Sequence, residues 1–176
     1  ALRAETCMLA AKIQEYATIL TKLADPPSLL EELPSLGFGP YPIRETQPYI
    51  TVGVYGGAQP SRGRCMLDTG SGFTMTTTLV CREHGLQVRP FHGTYSVANG
   101  SQARLVGEVD IDLQVHNKLM LCLRGVKVQE VELYQILLGS DVLRGTNGVL
   151  GGTSVNTGDN VLWKDTRNGV TYETKV

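Results

Sequence analysis

From Tyr49 onward the apolar residues recur at every second position, and this alternation restricts the chain more than any other feature it carries. Ile50, Val52 and Val54 share one face of an extended segment that ends at Gly56-Gly57. Period two is the repeat of a β-strand, whose successive side chains point to opposite faces. The clearest case is Val109, Ile111, Leu113 and Val115 set against Glu108, Asp110, Asp112 and Gln114, which predicts a strand with one buried and one wet face. Residues 64–67, 119–123, 126–131 and 136–138 add further apolar strand segments. The segment at 64–67 is expected to pair with the first strand as a hairpin. Two further hairpins are expected around Asn99-Gly100, between 95–98 and 102–106, and around Asn168-Gly169, between 160–165 and 170–174, because both residues of such a turn accept positive φ. Helices are short by comparison. One is expected over 76–84, stopped by Gly85, and another up to Arg144, capped by Ser140 or Asp141. The expected fold is mainly β.

The residues before Tyr49 follow a different pattern. Leu2, Thr6, Leu9, Ile13, Tyr16, Leu20 and Leu23 recur at alternating spacings of three and four, which predicts an amphipathic helix over 1–24. A seven-residue period suits either pairing across a dimer or docking onto the chain's own domain. Asp25-Pro26-Pro27 stops this helix, and a linker rich in Pro and Gly is expected over 25–48.

Composition narrows the function classes. The 16 Lys and Arg nearly balance the 17 Asp and Glu, for a net charge of -1, so no nucleic-acid contact is expected. Cys7, Cys65, Cys81 and Cys122 show no C-x-x-C spacing and no ligand-like neighbourhood with histidine, so neither a metal nor another cofactor is expected. Their apolar surroundings suit buried free thiols in a reducing compartment. No apolar stretch approaches the roughly 20 residues of a membrane span, and the expected location is soluble and cytoplasmic.

Chemistry concentrates at Cys65-Met66-Leu67-Asp68-Thr69-Gly70-Ser71-Gly72. Here a short apolar strand delivers one carboxylate into a turn of small residues, as half of an acid-protease site would. Peptide hydrolysis by carboxylates needs a water between two of them, one ionised to take its proton and one protonated to donate to the carbonyl. No second Asp-Thr-Gly or Asp-Ser-Gly occurs in the chain. The partner carboxylate must then come from another copy, which predicts a homodimer. Taken alone, Asp-Thr-Gly also describes many surface turns in which Asp merely caps the backbone.

The surroundings decide between those readings. Residues 50–57 followed by 65–71, then Val97-Ala98-Asn99-Gly100-Ser101 running into 106–109, then Ile136-Leu137-Leu138-Gly139-Ser140-Asp141-Val142-Leu143 together resemble the retropepsin family, in the family's order. These are the dimeric aspartic proteases of retroviruses and LTR retrotransposons, with their domesticated cellular relatives. The resemblance covers about two-thirds of the chain and implies a retropepsin-like domain over 49–176, an acid-protease half-barrel completed by homodimerisation. It implies that Asp68 is the catalytic aspartate, that Thr69 locks two loops together and that Gly70 shapes the loop. Many retroviral members have Ala where this chain has Ser71, which resembles the pepsin-like pattern in which that hydroxyl hydrogen-bonds a catalytic carboxylate and so would favour an acidic optimum. Asn99, Gly100 and Ser101 would lie near the tip of a flap. Met66, Met75, Val97, Ala98 and Leu137 would join them around an extended peptide, the substrate being a viral or retroelement polyprotein. The alternative is a domesticated module that dimerises or binds peptide with little turnover. Retroviral members commonly pair an Arg and an Asp where this chain has Ser140 and Gly72, so that ion pair is missing.

Other candidates are weaker. His84, His92 and His116 are scattered without a nucleophile nearby in sequence and are expected to be surface or strand histidines. Gly151-Gly152-Thr153 is expected to be loop, with no Lys placed as in a phosphate-binding loop.

Overall fold

The computed structural model describes residues 21–43, 47–96, 102–144, 150–155 and 160–176. In chain order the strands are β1 (Thr21–Ala24), β2 (Tyr49–Tyr55), β3 (Ser61–Leu67), β4 (Met75–Thr77), β5 (Arg89–Ser96), β6 (Gln102–His116), β7 (Leu119–Gln129), β8 (Ile136–Leu138), β9 (Leu150–Val155), β10 (Asn160–Asp165) and β11 (Thr171–Lys175). Two short α-helices interrupt them, α1 (Thr78–His84) and α2 (Ser140–Leu143). The large sheet runs β1-β7-β4-β8-β3-β2-β6-β5, and a further β6–β7 pairing closes six of its strands into a barrel. The chain is mainly β, as expected. The barrel closes within one chain, where a half-barrel was expected.

Alternation drives this closure. Val109, Ile111, Leu113 and Val115 are all buried at 1% exposure or less, pointing from β6 into the barrel. Each such side chain contributes about 1.5–3 kcal/mol relative to an exposed one. Arg124 and Arg89 hold the outward carboxylates Asp112 and Asp110 at 2.6 and 2.9 Å. Gln114 departs from the expected wet face. It is fully buried, accepting from the Tyr55 hydroxyl at 3.0 Å and donating to the Ser28 carbonyl at 2.7 Å.

β2 and β3 pair antiparallel as the expected hairpin, with Ile50 opposite Cys65. β5 and β6 pair likewise, with Tyr95 opposite Ala103. The intervening Asn99-Gly100 turn, expected at a flap tip, lies outside the described residues. The helix expected from residue 76 begins two residues later, because Thr76 and Thr77 belong to β4. The Thr77 hydroxyl then caps α1 by accepting from Val80 N at 3.4 Å. Gly85 ends it with φ 65°, a left-handed conformation that glycine adopts without Cβ strain.

The N-terminal expectations are revised where they are described. Residues 21–24 form β1, antiparallel to β7 with Leu23 opposite Leu121. This strand replaces the end of the expected helix, whose first 20 residues lie outside the described ones. The following segment is a strap, where a linker was expected. It makes a single 3-10 turn over Leu30–Glu32 and buries Leu33 against Tyr55, Met120 and Cys122. Leu30 N donates to Asn117 Oδ1 at 2.8 Å, and Phe38 and Tyr41 pack on the main core.

The last strands form a separate sheet in the order β11-β10-β9. Its β10–β11 pairing is the expected final hairpin, whereas Gly151-Gly152-Thr153 lies in β9 and is not loop. Trp163 is fully buried and donates Nε1–H to Thr174 Oγ1 at 2.9 Å. That hydroxyl in turn donates to the Val115 carbonyl at 2.6 Å, fastening the small sheet to the barrel. Cys65, Cys81 and Cys122 are free, buried thiols, and Cys7 lies outside the described residues. No helix among the described residues is long and apolar enough to cross a membrane.

Candidate active site

Asp68 stands where β3 leaves the barrel. The preceding Cys65, Met66 and Leu67 are buried at 2% exposure or less, so burial of the strand fixes where the next residue emerges. β8 runs between β3 and β4, parallel to β3 (Met66 opposite Leu137) and antiparallel to β4 (Met75 opposite Leu137). Two strand spacings, about 10 Å in all, therefore separate the strands that flank residues 68–74. The loop crosses the end of β8. Asp68 N donates to the Leu138 carbonyl at 2.9 Å, and Ser140 N donates to the Ser71 carbonyl at 2.7 Å.

Within the loop, Gly70 N donates to Asp68 Oδ1 at 2.9 Å, and Ser71 N donates to the Asp68 carbonyl at 3.2 Å. A Cβ at position 70 would stand 3.1 Å from Asp68 Oδ1, closer than ordinary contact, so glycine lets the amide approach the carboxylate. Thr69 is exposed on the same turn. Ser71 differs from expectation. Its Oγ donates to the Phe73 carbonyl at 2.9 Å, which commits its one O–H to the backbone where donation to a carboxylate was expected.

Beside this loop lies a groove of about 400 Å³. Asp68, Gly70 and Ser71 line it, as do Met75 and Leu137 from the expected substrate-contacting set. Met66 does not line it. It is 1% exposed and packs with Met75, Leu105 and Leu137 in an apolar cluster. Val97, Ala98, Asn99, Gly100 and Ser101 lie outside the described residues. The sequence reading missed Phe73, Tyr95, Gln129 and Gln135, which also line the groove. The Tyr95 hydroxyl donates to Gln129 Oε1 at 3.1 Å, and its ring meets Phe73 edge-on at 5.2 Å between centroids. An aromatic at the end of the Asp68 loop, Phe73, and another just before Asn99-Gly100, Tyr95, were the available signals.

Behind the loop, Asp141 is 7% exposed. Its Oδ2 accepts from Thr74 N at 3.0 Å, and its Oδ1 accepts from Thr74 Oγ1 at 2.8 Å and Val142 N at 2.9 Å. Burial raises its pKa above the usual carboxylate range, opposed by these donors. The expected side-chain cap of α2 is absent, because Gly139 occupies the N-cap position.

His84 is a correction to the expected surface histidine. Its Nδ1 lies 2.8 Å from Ser61 Oγ and its Nε2 lies 2.6 Å from the Tyr134 hydroxyl, beside a cavity of about 370 Å³ shared with Arg82 and Glu83. The Ser61–His84 contact superficially matches a nucleophile and base. A working triad, however, places a carboxylate on the far nitrogen to stabilise the imidazolium, whereas a phenol stands there. Ser61, His84 and Tyr134 are each at most 4% exposed, and burial lowers the His84 pKa to about 4. The three side chains pin β3, α1 and the segment before β8 together. Among the described residues, no three His, Cys, Asp or Glu gather in an arrangement that would hold a metal ion. No protein-family model matches the chain, and no curated protein matches it.

Proposed function

We propose that this chain is one half of an aspartic endopeptidase that cleaves extended peptide segments of a polyprotein, its acid pair completed by Asp68 of a second copy. The observation that carries this reading is Asp68 itself, its carboxylate held by the Gly70 amide and its carbonyl by the Ser71 amide, where it lines a groove. Among the described lining residues it is the sole carboxylate. Two carboxyls facing each other at close range cannot both ionise, so a symmetric pair holds the single shared proton that water activation requires. The pair titrates as a unit. The mostly apolar groove, lined by Tyr95 of β5, suits a peptide laid in as an added strand, with backbone hydrogen bonds for affinity and pockets for choice.

Purified protein is incubated with a peptide library, with and without pepstatin, alongside Asp68→Asn. Cleavage is expected in wild type, with pepstatin inhibition and a loss of at least about a hundredfold in the variant, because the amide cannot serve as general base. Cleavage that persists in Asp68→Asn refutes the mechanism.

One observation favours a second reading. The Gly70 amide donates to Asp68 Oδ1 within its own turn and the Ser71 hydroxyl donates to the Phe73 carbonyl, so both contacts serve the loop itself, as in a turn that shapes a peptide-binding or dimerising module. Such a module gives peptide retention or a dimer by sedimentation, with no cleaved product in the same experiment.

A further inference from the structure

We infer that Asp141 is a positioning residue for the Asp68 loop: its buried carboxylate gathers Thr74 onto α2 and so sets where Asp68 stands at the groove. The inference rests on the reading of Asp68 as a catalytic group. It begins from what a carboxylate uniquely offers, which is acceptors without donors. Three donors converge on Asp141, two from Thr74 and one from Val142. The Thr74 hydroxyl also accepts from Gly139 N at 3.2 Å, so it is held from both sides.

The result is a loop tied to one short segment at three points. Asp68 is tied through the Leu138 carbonyl, Ser71 through Ser140 N, and Thr74 through the Asp141 side chain. The first two ties are backbone bonds that any sequence could make. The third depends on side-chain identity and closes the far end of the loop. A carboxylate buried to this degree is costly unless its lone pairs are satisfied, and a cap for α2 alone would work equally well in solvent. An amide cannot substitute. With its oxygen at the Oδ1 position its NH2 faces Thr74 N, and with its oxygen at the Oδ2 position its NH2 faces Val142 N, so donor meets donor in either orientation.

The test is Asp141→Asn, read by residue-resolved amide hydrogen exchange and by steady-state kinetics on a peptide that wild type cleaves. Exchange at the Asp68, Gly70 and Ser71 amides is expected to quicken about tenfold or more while the barrel amides of Val52 and Leu113 keep their protection. The kinetic signature is a kcat about tenfold lower with KM changed less than about twofold, the pattern of an interaction that matters in the transition state. Faster exchange confined to Thr74 and Val142, or an unchanged kcat, overturns the inference and leaves Asp141 a local fastener. A wild type that cleaves nothing refutes the proposed function instead, while the exchange result still judges the positioning role. Should Asp141→Asn fail to fold, Thr74→Val removes the hydroxyl's bond to Asp141 together with its bond from Gly139 N and keeps the Thr74 N–Asp141 bond, and the same exchange readout applies.

Discussion

The buried histidine makes a quantitative prediction about acid stability. His84 is 4% exposed, and burial lowers its pKa from an ordinary 6.5 to about 4. An unfolded chain takes up this proton near pH 6.5, whereas the folded chain resists until about pH 4. Between those values the unfolded state binds more protons, so stability falls as pH falls. The contribution is fully present above pH 6.5 and fully lost below about pH 4. At about 1.36 kcal/mol for each unit between the two values, the loss is about 3 kcal/mol, a large share of the roughly 5–15 kcal/mol that holds a typical domain together. The perturbation is His84→Gln, which keeps hydrogen-bonding groups near Ser61 and Tyr134 and removes the titration. The assay is urea unfolding across this pH range, followed by the fluorescence of Trp163, the single tryptophan and fully buried. Other groups also titrate. Asp141 acts in the opposite sense, its raised pKa making the folded chain bind a proton more readily as pH falls. Asp110 and Asp165, held below the usual range first by hydrogen bonds from Arg89 and Arg167, add to the acid loss. All three are present in both proteins and cancel in the difference. That difference, wild type minus variant, is expected to fall by about 3 kcal/mol from neutral pH to about pH 4. A flat difference refutes the assignment of His84 as a neutral buried pin.

Two further substitutions probe the site's frame and the strap. Gly139→Ala places a Cβ 2.6 Å from the Phe73 backbone and 2.9 Å from the Ser71 carbonyl, atoms that cannot swing aside. A loss of about 1–3 kcal/mol is expected, seen as a lower urea midpoint, and an unchanged midpoint contradicts the close packing of α2 on the loop. Leu33→Ala empties the site that the strap fills beside Tyr55, Met120 and Cys122. It is expected to cost about 2 kcal/mol or more and to open residues 28–36 to limited proteolysis, whereas a resistant strap shows that Leu33 does not anchor it.

Legibility in the sequence followed how local each determinant is. The β6 alternation was readable because every inward residue from Val109 to Val115 obeys one rule. Gln114 broke that rule through Tyr55 and Ser28, the latter 86 positions away, and no local pattern reports such partners. The segment 21–24 fits a helical period, yet pairing with β7 at the barrel's edge overrides a propensity worth only tenths of a kcal/mol per residue. Pro and Gly around Leu33 disguised a docked strap as a linker. Asp68 and Gly70 stood out as a tripeptide that only its surrounding segments distinguish from a surface turn, and the groove's Met75 and Leu137 were expected from the family resemblance. The Tyr95–Gln129 contact joins residues 34 positions apart, and the Ser61–His84–Tyr134 chain joins three segments. Both depend on the tertiary arrangement alone.

Threading β8 between β3 and β4 has a consequence for synthesis. The strand that leads to Asp68 and the strand that follows its loop are complete by residue 77, yet the ties from Leu138, Ser140 and Asp141 come from more than 60 positions later. While the ribosome is still making the intervening segment, the nascent chain carries this aspartate on an untethered turn. Contacts of such long range form late and slowly. Assembly of the loop is thereby deferred until nearly the whole barrel has emerged.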